Sequence, residues 1–282
     1  MGQATRDRGG PAAWRGLLAD IRRSDRARGR QRLGRFSIEG TRLHERALRA
    51  GAPLEAVLVS ESFRDDPSPR VRRLLEQIEA GPCRCEVAPD SVLLELTAGR
   101  GTGSIVGLVR RAQLPSLAEI LAGIEGGPRV VVVAVDIEDP GNVGALVRTA
   151  LASGAAAFLE VGASDAHHPR AVRTSMGSVF KLPILGFATV RELLGEVDRA
   201  GLRKIGALSR GGDPPHTLAP GGGGVALFLG AEAFGLPPEV VAAMDAAVSV
   251  PMASGVDSLS VNAAAAVILY EITGRAGGVP AS

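Results

Sequence analysis

Two periods alternate along this chain: short apolar runs of four to eight residues, and stretches in which apolar residues recur every three or four positions. In the first 112 residues the runs Phe36 to Glu39, Glu55 to Ser60, Cys83 to Ala88 and Ser104 to Arg110 read as strands. Between them Arg42 to Ala50 reads as a helix with Glu45 and Arg49 paired at i,i+4. Val71 to Ala80 reads as a helix closed by Gly81, and Asp90 to Ala98 as a helix capped by Asp90. Gln113 to Pro128 holds a short helical stretch and then Gly126, Gly127 and Pro128, which mark a boundary.

From Arg129 the runs become more apolar. RVVVVAVD (Arg129 to Asp136) is the pattern of a strand buried on both faces of a parallel sheet, and Ala156 to Val161, Leu202 to Leu208, Val225 to Gly230 and Ala246 to Val250 repeat it. Asn142 to Gly154 is a helix with Val143, Leu146, Val147, Ala150 and Leu151 on one face, and the small residues Gly144 and Ala145 leave room beside Arg148. The last helix, Ser258 to Thr273, is apolar nearly all round, which predicts a partner surface such as that of a homodimer. The expected fold class is α/β: an Arg-rich extension (1–30), a smaller α/β domain (31–112), a linker (113–128) and a parallel-sheet domain (129–275).

Composition adds charge asymmetry to this picture. The net charge over 282 residues is only +2. Up to Ile124, however, 21 Lys+Arg face 15 Asp+Glu, and the remainder has 11 against 15. Residues 1 to 35 alone hold ten arginines (Arg6, Arg8, Arg15, Arg22, Arg23, Arg26, Arg28, Arg30, Arg32, Arg35), the footprint of a polyanion binder or else a solvated tail. With Phe 7, Tyr 1 and Trp 1, the core must be built from small aliphatic side chains. No run of apolar residues is long enough to span a bilayer and no secretory leader is present, so a cytoplasmic protein is expected. Cys83 and Cys85, one residue apart, are expected as buried or half-buried thiols, not as a disulfide or a zinc site.

Several chemistries are excluded by spacing. No lysine follows a glycine, so no phosphate loop of that kind exists, and no serine sits in a Gly-x-Ser-x-Gly elbow. The cluster Gly99, Gly101, Gly103 precedes a strand, the wrong context for a dinucleotide turn; Gly221 to Gly224 reads as a loop. His167 and His168 are read as a surface loop, and no metal site is expected. Three loops at the carboxyl ends of strands then hold the chemistry: Asp136 to Arg148, Leu229 to Pro237, and Val250 to Val261.

In this order and spacing the three segments resemble the SpoU (TrmH-like) family of RNA 2′-O-ribose methyltransferases, a branch of the knotted SPOUT superfamily. The resemblance is carried by Asn142, Gly144 and Arg148, by Gly230, Glu232, Gly235 and Leu236, and by Val250, Pro251, Met252, Ser258, Leu259, Leu269, Tyr270 and Glu271. Arg173 to Gly177 (RTSMG) sits where the family has a similar Ser-x-Gly stretch. The third motif departs from the family at Ser260 and Asn262, where Asn and Ser are usual. The first domain, with GRFSIEG and GSIVGLV, looks like the family's ribosomal-protein-like RNA-binding domain.

The resemblance implies a trefoil-knot domain, a homodimer, and S-adenosyl methionine as cofactor held by Leu208, Gly230, Val250, Met252 and Leu259. It implies Asn142, Arg148, Glu232 and Ser258 as catalytic residues, with Arg32, Arg35, Arg42 and Arg173 toward the RNA. The substrate would be ribosomal or transfer RNA, ribosomal more so, and a resistance enzyme protecting ribosomal RNA from an antibiotic shares this layout. An arginine that stays protonated is a poor base, so Arg148 is expected to fork onto the phosphate beside the target ribose and help it, or a strongly perturbed guanidine, accept the hydroxyl proton. A catalytically silent RNA-binding or assembly factor is the alternative; a nicotinamide-dependent oxidoreductase lacks its Gly-rich turn.

Overall fold

The computed structural model describes residues 13–100, 104–124, 129–218 and 224–275. Arg6, Arg8, Gly101, Gly103, Gly126 to Pro128 and Gly221 to Gly223, all used in the sequence reading, lie outside the described residues. Two compact units are present: one up to Ala112 together with His167–Pro169, the other formed by the rest from Gln113 onward.

The first unit is built on four strands, β1 (Arg35–Glu39), β2 (Leu54–Ser60), β3 (Arg84–Ala88) and β4 (Ile105–Arg110), in the order β1-β4-β2-β3. β4 runs antiparallel to β1 and β2, and β2 parallel to β3. The described part of the supposed extension is helical. Ala13–Ser24 and Ala27–Leu33 are helices, and Leu17 and Ile21 join Leu58, Leu93 and Leu108 in the core. Burying two such side chains contributes roughly 1.5–3 kcal/mol each. Two local expectations are corrected by longer-range partners. Glu45 grips Arg70 through two bonds of 2.7 Å instead of pairing with Arg49, because the fork geometry of Arg70 outcompetes a single helical contact. Asp90 does not cap its helix (Asp90–Leu96, preceded by Pro89); its carboxylate accepts from the Ser62 amide and hydroxyl. Cys83 and Cys85 are half-buried as expected, and burial pushes the Cys83 thiol up to about 12.

The second unit has six parallel strands: β5 (Val130–Val135), β6 (Ala157–Val161), β7 (Ile184–Phe187), β8 (Arg203–Ala207), β9 (Val225–Leu229) and β10 (Ala246–Val248). Their order is β10-β8-β9-β5-β6-β7. β7, a four-residue edge strand containing Gly186, has no counterpart in the sequence reading. β5 and β9 are buried at every position, as their unbroken apolar runs require. The segment read as a linker contributes to this core: helix Leu117–Ala122 opens on a capping box of Ser116 and Glu119 and buries Leu117 and Leu121. His167 is buried, not on a surface loop. Among the described residues no helix is long and apolar enough to cross a membrane.

One buried titratable group ties stability to pH. His44, on the helix Thr41–Arg49, is wholly enclosed; its Nδ1 lies 2.8 Å from the Gly40 carbonyl and must donate to it. Nε2 is then an acceptor with no hydrogen-bond partner among the described residues, facing Gly107 so closely that a Cβ there would lie 2.6 Å away. Burial lowers the His44 pKa from 6.5 to about 4. The unfolded chain therefore binds the extra proton between these values, and this contribution is intact above pH 6.5 and lost as pH falls toward 4. The expected loss is on the order of 3 kcal/mol. Urea midpoints measured from pH 7 to 4.5 should fall accordingly, and His44→Leu should flatten that dependence; an unchanged pH profile in the variant would refute the assignment.

Candidate active site

Parallel pairing sends the chain out of β5, β8, β9 and β10 at one end of the sheet. After β5, Asp136 adopts a left-handed φ of 52°, and its carboxylate accepts from the Ala163 amide at 3.1 Å. Asp139 caps the next helix, Pro140–Ala152, accepting from Gly141 at 3.2 Å with Pro140 in the first turn. Arg170 pairs with the same carboxylate at 2.8 Å. The helix thus starts two residues before Asn142, and the Asn142 amide is used elsewhere: Nδ2 donates to Glu232 Oε1 at 2.6 Å. The space that Gly144 provides is not left open beside Arg148. It admits the neighbouring helix Pro169–Thr174, since a Cβ would lie 2.0 Å from Thr174 Oγ1 and 2.2 Å from the Ala171 carbonyl oxygen.

After β9 the chain folds back on itself. Gly235 donates to the Ala231 carbonyl at 2.8 Å with a φ of 68°, closing a five-residue turn. A Cβ on Gly230 would sit 2.2 Å from the Gly235 carbonyl carbon, so the returning turn needs the glycine. The turn projects Glu232 toward Asn142 and leaves Phe234 88% exposed.

Beside the turn lies a cavity of about 600 Å³. Leu208, Gly230, Val250, Met252 and Leu259 all line it, with Leu229, Leu236 and Ile268 adding apolar surface. Glu232 and Ser258 line it too; Asn142 is joined to it through Glu232. Arg148 is not brought in. Six residues beyond Asn142 it points about 120° away around the helix, is exposed, and forms no ion pair among the described residues. Ser260 caps the last helix, accepting from Ala263 at 3.3 Å, so that helix begins at Val261 (Val261–Arg275) and Ser258 stays in the loop. Asn262 accepts from the Thr149 hydroxyl at 2.7 Å, tying the last helix to the helix of Arg148. The sequence reading missed the pair of Arg210 and Asp257, 3.4 Å apart, which also line the cavity; Asp257 adjoins Ser258, but Arg210 lies in none of the motifs.

In the first unit the arginine run is mostly engaged. Arg30 is buried and donates to the Ser24 carbonyl at 2.8 Å. Arg22 pairs with Glu95 and Arg23 with Asp20, Arg15 lies over Trp14, and Arg35 shares Glu55 with Arg110. Arg26, Arg28 and Arg32 are exposed and form no ion pair among the described residues; Arg42 is exposed, and in the second unit Arg173 is half-buried.

Gly144→Ala must force the helices around it apart. A stability loss of roughly 1–3 kcal/mol is expected, read from the urea midpoint; a neutral substitution would refute the close approach.

The SpoU rRNA methylase family model matches residues 129–270. The 23S rRNA (guanosine(2553)-2′-O)-methyltransferase RlmP of Bacillus subtilis is 26% identical over 87% of this chain and 91% of its own. The 23S rRNA (guanosine-2′-O-)-methyltransferase RlmB of Ralstonia nicotianae is 31% identical over 75% of this chain and 85% of its own. Among solved structures, the SpoU methyltransferase AviRb of Streptomyces viridochromogenes, in complex with AdoMet, superposes with a TM-score of 0.79 at 26% identity, covering 93% of this chain and 99% of that one. With the cavity, the Asn142–Glu232 pair and the parallel sheet in the order those motifs require, the chain belongs to the SpoU rRNA methylase family.

Proposed function

We propose that this protein is an S-adenosyl methionine-dependent methyltransferase acting on a ribose 2′-hydroxyl of structured RNA, ribosomal RNA in preference to transfer RNA. The observation that carries the reading is the 2.6 Å bond between Asn142 and Glu232, made at the edge of a cavity lined from three separate loops. The cavity fits the cofactor: its apolar side chains Leu208, Val250 and Leu259 suit an adenine, and the loop backbone between them offers donors and acceptors for the ring edge. Bound there, the sulfonium supplies an electrophilic methyl group.

The remaining work falls to the chain's own residues. In-line displacement requires the hydroxyl to be held in place, so positioning supplies much of the acceleration. Glu232, fixed by Asn142, orients the ribose, and Ser258 supports it from the facing loop. Arg148 forks onto the neighbouring phosphate and holds it against the hydroxyl, whose proton passes to a phosphate oxygen as the methyl group is transferred. Since Arg148 points away from the cavity of its own chain, a site completed by a second copy accounts for its position. A homodimer is supported by the outer side of the last helix, where Val267 is 42% and Tyr270 75% exposed. The reading includes a trefoil knot formed by the loops after β9 and β10, an RNA-binding domain within the first unit and a methyltransferase domain within the second. A cytoplasmic location suits such a substrate.

Arg148→Ala should lower single-turnover methylation by at least about 10²-fold while cofactor binding by calorimetry stays at the wild-type level; wild-type turnover in the variant would overturn the role. Val267→Glu combined with Tyr270→Glu should shift sedimentation from dimer to monomer and abolish methylation together. A monomeric wild-type protein at micromolar concentration would refute the dimer.

A further inference from the structure

A second concavity, outside the catalytic reading, belongs to the first unit. Between the helices Thr41–Arg49 and Pro69–Ala80 runs a groove of about 740 Å³. Its lining includes Leu48 and Leu74, but its character comes from three guanidinium groups, Arg49, Arg70 and Arg73, set against the single carboxylate of Glu45. That carboxylate is committed. Arg70 holds it with two bonds of 2.7 Å and keeps it below the usual carboxylate range. Arg49 reaches Glu45 only through its longer-range field, and Arg73 is exposed; neither forms an ion pair among the described residues. The two helices together carry six arginines and three glutamates.

A groove with surplus guanidinium charge at its polar side chains suits a polyanion. Guanidinium forks match phosphate oxygens two bonds at a time, and exposed ones are not spent on internal partners. In the N-terminal arginine run, where composition alone puts the docking charge, Arg15, Arg22, Arg23, Arg30 and Arg35 are engaged by carboxylates, a carbonyl or Trp14, and the exposed Arg26, Arg28 and Arg32 line no described groove. We infer that the groove between these two helices, through Arg49 and Arg73, seats the phosphate backbone of the RNA substrate. This rests on the RNA-methylating reading above and names the surface that it leaves unassigned.

The test compares Arg49→Glu/Arg73→Glu with Arg26→Glu/Arg28→Glu, two equal charge changes on the same unit. Binding of deproteinised bacterial ribosomal RNA is measured by fluorescence anisotropy over a salt series. The groove variant should bind at least about 10-fold more weakly at low salt, with a salt slope shallower by about two. The Arg26/Arg28 variant should stay within about threefold of wild type, and Arg49→Gln/Arg73→Gln should fall between. Far-ultraviolet circular dichroism and cofactor calorimetry at wild-type values establish that each variant is folded. Wild-type affinity and slope in both groove variants, or an equal loss in the Arg26/Arg28 variant, would overturn the groove while leaving the methyltransferase reading in place. Failure of the wild-type protein to bind the RNA at all would overturn both.

Discussion

The parallel pairing of β5 with β9 is the constraint from which the site follows. Val130 to Ala134 lie opposite Val225 to Leu229, all buried, so neither strand can slip by one residue without carrying its side chains to the wrong face. The pairing brings residues ninety positions apart in sequence to the same sheet end, and Asn142 and Glu232 meet as a result. β8 and β10 extend the same direction outward, which adds Leu208 and Val250 to the cavity. A sheet of mixed direction built from the same residues would scatter these loops over both ends.

Missing side chains do as much at this site as present ones. At Gly144 a helix carbonyl and a hydroxyl occupy the place of a Cβ, and at Gly230 the chain's own return does. The aromatic-poor composition has the same origin. Strands buried on both faces, with helices in such close contact, are filled by Val, Ala and Leu at native packing density, while most bulkier rings would not fit. Exceptions among the described residues are Phe228 on β9 and Phe158 on β6, both fully buried.

The sequence made the elements legible wherever burial was continuous. The five apolar runs after Arg129 are all strands, and in β5 and β9, which are buried at every position, no polar residue interrupts the run. β7 escaped because four residues at a sheet edge with a glycine carry little periodicity. The N-terminal helices escaped because the charge of their arginines masked Leu17 and Ile21. The motif residues were readable as a set, but their partners were not. That Glu45 bonds Arg70, that Asp90 bonds Ser62, and that Arg210 meets Asp257 are facts of tertiary proximity, for which spacing along the chain gives no sign. Arg148 is the sharpest instance: it is legible as a functional residue from its motif, yet it is directed away from the cavity by nothing more than the pitch of its helix.

The hydrogen bond between Thr149 and Asn262 gives the departure in the third motif a mechanical meaning. Ser260 has become the cap of the last helix, and the amide has moved to a position where it grips the residue next to Arg148. The helix that presents Val267 and Tyr270 outward packs along the helix that carries Arg148, and the Thr149–Asn262 bond fixes the register between them. The outer surface of the last helix and Arg148 are therefore parts of one packed helix pair.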